Sequence, residues 1–181
     1  MIYDITNLVI DKNKEDERVP KIGRYSVSKL WGMLNGYLPP EKYLTDEMAI
    51  DGIMRAKVGT YKHLFLESLF SKHKTEIKKE YKTDDFTIVG KADILDLFGT
   101  DVCDFKTSKE LKEMKTWDEY QIKWYCILFD KPYGYALQPR FNKTKAWLEV
   151  IGEVKRPTSK WLETQLKKIK EYHLKCEQLN K

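Results

Sequence analysis

The chain has 181 residues, 41% of them hydrophobic and 13% aromatic, which predicts one globular domain with a real core and argues against a disordered polar segment. Charged residues reach 34% with a formal net charge of +5, a mild basic excess compatible with a polyanion partner without demanding one. Cys103, Cys126 and Cys176 are widely spaced and form no C-x-x-C. That pattern argues against a disulfide framework, a structural zinc site and a four-cysteine iron–sulfur cluster, and predicts small buried hydrophobes in a reducing compartment. No segment has the form of a signal peptide or the length of a membrane span, so a soluble, intracellular, cytoplasmic protein is expected.

In chain order, residues 1–10 suit a short strand, and the charged, proline-containing stretch 11–21 suits a mobile loop. "YSVSKLWGMLNGYL" sets serines before an apolar run, predicting a capped short helix that ends near Gly36, with "LPPEKY" as a break. Thr45 to Phe70 reads as a long helix, capped by Thr45 and patterned by Met48, Ile53, Ala56, Phe65, Leu66, Leu69 and Phe70. "TEIKKEYKT" and "FTIVGKADIL" read as strands, and "FGTD" turns the chain into a third, "VCDFKT". An aromatic-rich helix over 113–129 ends at "DKPYG". A second hairpin, "YGYALQPRF" with "KAWLEVIGEV", precedes an amphipathic final helix over 159–180. Helices packed on a mixed sheet are expected, with the whole chain, 1–181, as a single unit.

The chemistry concentrates in "IVGKADILDLFGTDVCDFKTSK", where two aspartates interrupt runs of strand character. If the turn centres on Phe98-Gly99, Asp93 faces Asp104 across an antiparallel pair, with Cβ atoms roughly 4.5–5.5 Å apart. Two carboxylates that close require a shared proton or a cation between them. Lys106 falls on the same face as Asp104, placed to orient a water or to stabilise charge on a phosphate. D/E-x-K alone carries little weight in this chain, because five further instances occur, beginning with Glu76-Ile77-Lys78 and Glu80-Tyr81-Lys82. The facing partner Asp93 is what distinguishes "DFK".

Two helical stripes point the same way. Gly59, His63 and Glu67 recur every four residues, which suits either a solvent-facing stripe with His63 bonded to Glu67 or a metal-ligating histidine. Trp117, Gln121 and Tyr125 repeat every four on the later helix. Lys106, Lys109, Lys112 and Lys115 recur every three and lie near the rings of Trp117, Tyr120 and Trp124. That interleaving suits phosphate contacts and base stacking on a single strand, and equally a solvated lysine face.

"GTYKHLFLE", "GKADIL", "DFKTS" and "QIKWY" resemble, in order, the GxxxH, GxxD, DxK and QxxxY motifs of RecB-like nucleases in the PD-(D/E)XK superfamily, and "YSVSKL" resembles their upstream S-x-S-x-L. The resemblance spans residues 24 to 130. It implies an α/β, restriction-endonuclease-like fold with a mixed central sheet flanked by helices, and Mg²⁺- or Mn²⁺-dependent cleavage of DNA, single-stranded or at ends. His63, Asp93, Asp104 and the main-chain carbonyl of Phe105 would hold metal, and Lys106 would activate or orient water. Gln121 and Tyr125 would position Lys106 or the DNA backbone. Glu80 matches a strand glutamate of some relatives, and Glu67 is a further possible ligand. Lys109, Lys112, Lys115, Trp117 and Tyr120 would contact nucleic acid. Without a four-cysteine cluster or helicase motifs, the chain resembles stand-alone nucleases of phages, viruses or mobile elements. A nucleic-acid-binding module of the same fold that has lost cleavage is the alternative.

Overall fold

The computed structural model describes residues 22–44, 50–70, 72–107 and 113–181, with main chain only at 50–52. The expected strand at 1–10, the loop at 11–21, the Thr45 cap with Met48, and Lys109 and Lys112 lie outside the described residues.

The elements run β1 (Arg24–Ser26), α1 (Val27–Leu34), α2 (Pro40–Leu44), α3 (Ile50–Ser68), β2 (Lys74–Lys82), β3 (Thr87–Leu95) and β4 (Asp101–Phe105). They continue with α4 (Thr116–Leu128), β5 (Tyr133–Phe141), β6 (Ala146–Lys155) and α5 (Ser159–Leu179). Two differ from expectation. The break at "LPPEKY" holds a short helix that starts on Pro40, where the missing N–H of proline costs nothing. β1 is three residues long and formed by tertiary pairing rather than by local pattern. Ser26 occupies the N-cap of α1 in extended conformation, but its hydroxyl bonds Ser28 Oγ at 2.9 Å instead of capping the helix. Thr158 caps α5, accepting from the Trp161 amide at 3.3 Å.

The strands form a mixed sheet in the order β1-β3-β4-β5-β6, with β2 also paired to β3. β3–β4, β2–β3 and β5–β6 are antiparallel, while β1–β3 and β4–β5 are parallel. This is the restriction-endonuclease-like arrangement, helices on both faces of a mixed sheet. β2 pairs along the length of β3. On the other edge of β3, β1 takes Thr87 to Val89 and β4 takes Ile94 and Leu95. Residues 90–93 therefore have no ladder partner on that side.

Two apolar clusters cover the sheet. The larger joins α1, α4 and α5 to Ile88, Ala92, Leu95 and Val102. The smaller sets Leu66 of α3 on Ile94, Cys103, Phe105 and Leu137 of the opposite face. Ala92 and Leu95 belong to the same cluster although three residues apart, and Ile94 belongs to the other. The alternation of faces in β3 thus slips by one residue at Asp93.

α4 lies very close to the sheet. A Cβ on Gly90 would fall 2.4 Å from Leu128 Cδ1, and one on Gly134 would fall 2.3 Å from Ile122 Cγ2. Only hydrogen at these two positions admits the helix at this depth. The expected apolar face of α3 is corrected in part. Ile53 and Leu66 are buried, but Phe65 and Leu69 are exposed, because only one side of α3 meets the sheet. All three cysteines are buried and unpaired. Among the described residues no helix is long and apolar enough to cross a membrane.

Candidate active site

The turn between β3 and β4 is built by Asp101, whose carboxylate accepts from the amides of Leu97 (3.2 Å) and Phe98 (2.8 Å). The resulting register pairs Ile94 with Cys103 and Leu95 with Val102. One step further, where Asp93 meets Asp104, the backbone ladder stops. Asp93 Oδ2 instead accepts the main-chain amide of Phe105 at 2.6 Å. A side chain thus replaces a strand in satisfying that buried donor, and it fixes the Asp93 carboxylate at the mouth of the gap in the sheet.

From the α3 side, His63 Nδ1 reaches Asp93 Oδ1 at 3.2 Å. His63, Glu67 and Asp93 each offer a ligand atom, all within 4.8 Å of one another. The ion pair of His63 is therefore with Asp93 rather than with Glu67. Burial opposes the His63 imidazolium, but the hydrogen bond and charge of Asp93, with Asp104 and Glu67 beyond, raise its pKa overall. Burial, then the neighbouring charges of Glu76 and Asp93, push Glu67 up to about 7. Excess negative charge is the signature of this half of the site. An imidazole and two carboxylates that cannot all ionise cheaply fit a hard divalent cation.

The other half is neutralised from within. Lys106 Nζ lies 2.5 Å from Asp104 Oδ2 and 2.6 Å from Asp118 Oδ1. Gln121 bridges the group: Nε2 donates to Asp104 Oδ1 (3.2 Å) and to the Tyr125 hydroxyl (2.7 Å), while Oε1 accepts from Lys106 (3.4 Å). Burial raises Asp104 to about 6 and Asp93 adds to the rise, against the ammonium of Lys106. Burial disfavours the Lys106 ammonium, yet Asp104 and Asp118 outweigh it and hold its pKa above the ordinary lysine value. Burial, with Asp104 nearby, holds Tyr125 well above the usual phenol range, so it is a neutral hydroxyl near neutrality.

Asp118 is the candidate site residue the sequence reading missed. It lies three residues before Gln121 on α4, buried, on the face that meets Lys106. The i, i+3 spacing from Gln121 was the available signal.

Other expected residues sit elsewhere. Glu80 is bound to Arg24 at 2.6 Å and stands opposite Val89, four positions along the ladder from the Asp93 level. The β2 carboxylate at the Asp93 level is Glu76, flanked by the pairs Thr75–Ile94 and Ile77–Ala92. Its φ is +52° and it is ion-paired to Lys91. Tyr120 is partly buried. Its hydroxyl donates to Gln165 of α5 at 3.0 Å and its ring packs on Trp161. Trp124 is fully buried. Trp161 of α5 packs against both Tyr120 and Trp124, so these two rings do not form an exposed ladder. Trp117 is 52% exposed, and Lys115 occupies the N-cap position of α4.

Fold and site together define a restriction-endonuclease-like domain with a divided polar centre at the gap between β3 and β4. No family model and no curated protein sequence matches the chain. Solved structures do. SSO0001 is 20% identical with a TM-score of 0.64, over 95% of this chain and 86% of that one. LHK-Exo in complex with dAMP is 12% identical with a TM-score of 0.58, over 91% of this chain and 95% of that one. LHK-Exo is an alkaline exonuclease from Laribacter hongkongensis. A phage-related exonuclease from Haemophilus somnus 129PT is 12% identical with a TM-score of 0.50, over 86% of this chain and 92% of that one. At these identities the likeness is one of fold.

Proposed function

We propose that the chain is a metal-dependent DNA nuclease that hydrolyses phosphodiester bonds with water, acting on single-stranded DNA or DNA ends, and that it is a stand-alone RecB-like member of the PD-(D/E)XK superfamily. The observation that carries this reading is the divided centre: a donor group with excess negative charge, His63, Glu67 and Asp93, beside a buried lysine held by Asp104 and Asp118. The exonuclease neighbours lend support through the shared fold.

His63, Glu67 and Asp93 would hold Mg²⁺ or Mn²⁺, with Asp104 and the Phe105 carbonyl completing the set from β4. When bound, the cation supplies positive charge to the phosphoryl oxygens and acidity to water. Burial disfavours the Lys106 ammonium, but Asp104 and Asp118 hold its pKa above the ordinary lysine value, which suits a donor. Its role is to hold the attacking water or to donate to the charge that develops on phosphorus-bound oxygen. Gln121 fixes the distance between Lys106 and Asp104, and Tyr125 holds the Gln121 amide.

The test incubates end-labelled single- and double-stranded DNA with the full chain in Mg²⁺, Mn²⁺ or a chelator, beside Asp104→Asn. Cutting should need the cation and fall by roughly a thousandfold in the variant. Undiminished cutting by Asp104→Asn would remove this site from consideration. Tight binding without cutting in every cation would favour a module that has lost cleavage.

A further inference from the structure

A second concave feature lies beside the lysine half of the centre. Trp31 of α1, Tyr37 of the following turn and Trp117 at the start of α4 line a cleft of about 450 Å³, together with Ser28, Lys29 and Leu38. Trp31 and Tyr37 stack with centroids 4.9 Å apart and planes 23° from parallel. Trp117 closes on Trp31 at 5.9 Å, tilted by 59°. Tyr37 is 68% exposed and Trp117 52%, so neither ring is anchored by the core. Rings of this size left open in one concavity mark a surface awaiting a ligand.

The arrangement is set by the backbone. Gly36, at φ +78°, follows the C-cap Asn35 and turns the chain back. The amides of Tyr37 and Leu38 then both donate to the Gly32 carbonyl at 2.9 Å. That closed turn seats the phenol on the indole in advance, so a planar ligand adding to the open face of the stack meets rings already ordered.

Resting on the nuclease reading above, we propose that this cleft is a base-stacking site for unpaired nucleotides of the DNA strand that enters the catalytic pocket. Three observations select a nucleobase over an apolar peptide or a second copy of the chain. The lining is flat rings with a single aliphatic side chain, Leu38. Lys29 is one of the lining residues and Lys115 stands two positions before Trp117 at the N-cap of α4, basic groups that suit a phosphate backbone. Trp117 immediately precedes Asp118, whose carboxylate lies 2.6 Å from Lys106 Nζ, so the first turn of α4 carries both a ring of the cleft and a partner of the lysine. Every base has a π-face, so the grip is indifferent to sequence.

The test uses the full chain with chelator. Binding of a labelled oligothymidylate is compared with binding of an abasic oligomer of equal length. The wild type should prefer the base-bearing strand by about tenfold. A Tyr37→Ala, Trp117→Ala double variant should bind both alike, and Tyr37→Phe should keep the preference. Thermal melting of each variant establishes that it is folded. Equal preference in wild type and double variant overturns the proposal. So does self-association that the double variant loses without any dependence on bases. Metal-dependent cutting is scored separately. Cutting without base preference removes the stacking site and leaves the nuclease reading. Base preference lost in the double variant, in a chain that never cuts, removes the nuclease reading and leaves the stacking site.

Discussion

The two halves of the polar centre sit on one pair of strands yet are built oppositely. Around Lys106 every charge has its partner: Asp104 and Asp118 flank the ammonium, and Gln121 ties the group to Tyr125. Around Asp93 the charges are mostly of one sign, and protonation of Glu67 and a bond from His63 stand in for the missing positive charge. The first half is a finished ionic lattice that holds its geometry without help. The second is poised, and under the proposed function a cation would relieve it. With Asp104 turned to a cation in the proposed site, Asp118 and Gln121 would still hold the lysine in place.

The comparison is broken most severely by Lys106→Ala. Removing the ammonium leaves Asp104 and Asp118 buried and facing one another, so unfolding should become easier by roughly 3–5 kcal/mol, read from denaturant titration. Catalysis should fall with it. Unchanged stability would mean that the lattice is not what holds this half together.

A gentler probe separates the halves. With cation at a hundred times its Kd, the wild type should gain about 2.7 kcal/mol of stability. Asp93→Asn should lose that gain, whereas Asp118→Asn should keep it while slowing cleavage. Differential scanning calorimetry with and without Mn²⁺ decides this. Loss of the gain in Asp118→Asn as well would show that the halves are one unit.

The smallest effect is the pH dependence. Glu67 titrates at about 7 and Asp104 at about 6, both above ordinary carboxylates. Between pH 4 and 7 the metal-free folded state therefore holds protons that the unfolded chain has released, and its stability falls as pH rises through that range. Cation binding needs those protons gone, so the thermal shift caused by the metal should grow from pH 5 to pH 8. A shift that is flat with pH would place the cation away from these carboxylates.

Local pattern carried the register of the hairpin, seen in the pairs Ile94–Cys103 and Leu95–Val102. It did not carry the end of that ladder one step short of Asp93 and Asp104, where the alternation slips and Asp93 accepts the Phe105 amide instead. What local pattern does not carry is partnership across elements. Asp118 is one acid among many on helices until α4 is docked on the sheet. Glu80 and Glu76 were equal candidates until the β2–β3 register set Glu76 at the level of Asp93. Tyr120 and Trp124 read as an open aromatic ladder only while α5 is left out, because α5 covers both. β1 is too short for its residues to announce it, and is made by its pairing to β3.

The slip at Asp93 has a consequence for how the sequence can vary. Because Ala92 and Leu95 point to one side and Ile94 to the other, the stretch from Gly90 to Leu95 works by counting as much as by composition. Exchanging one apolar residue for another there keeps the count. Losing or gaining a single residue would restore regular alternation, send Ile94 to the wrong layer and carry the carboxylate off with it. Lengthening the Asn142–Lys145 turn, closed by its own hydrogen bond at the far end of β5, would leave this register untouched. Drift in this fold should therefore appear as length changes at the β5–β6 turn and as substitutions, never gaps, through residues 90–95.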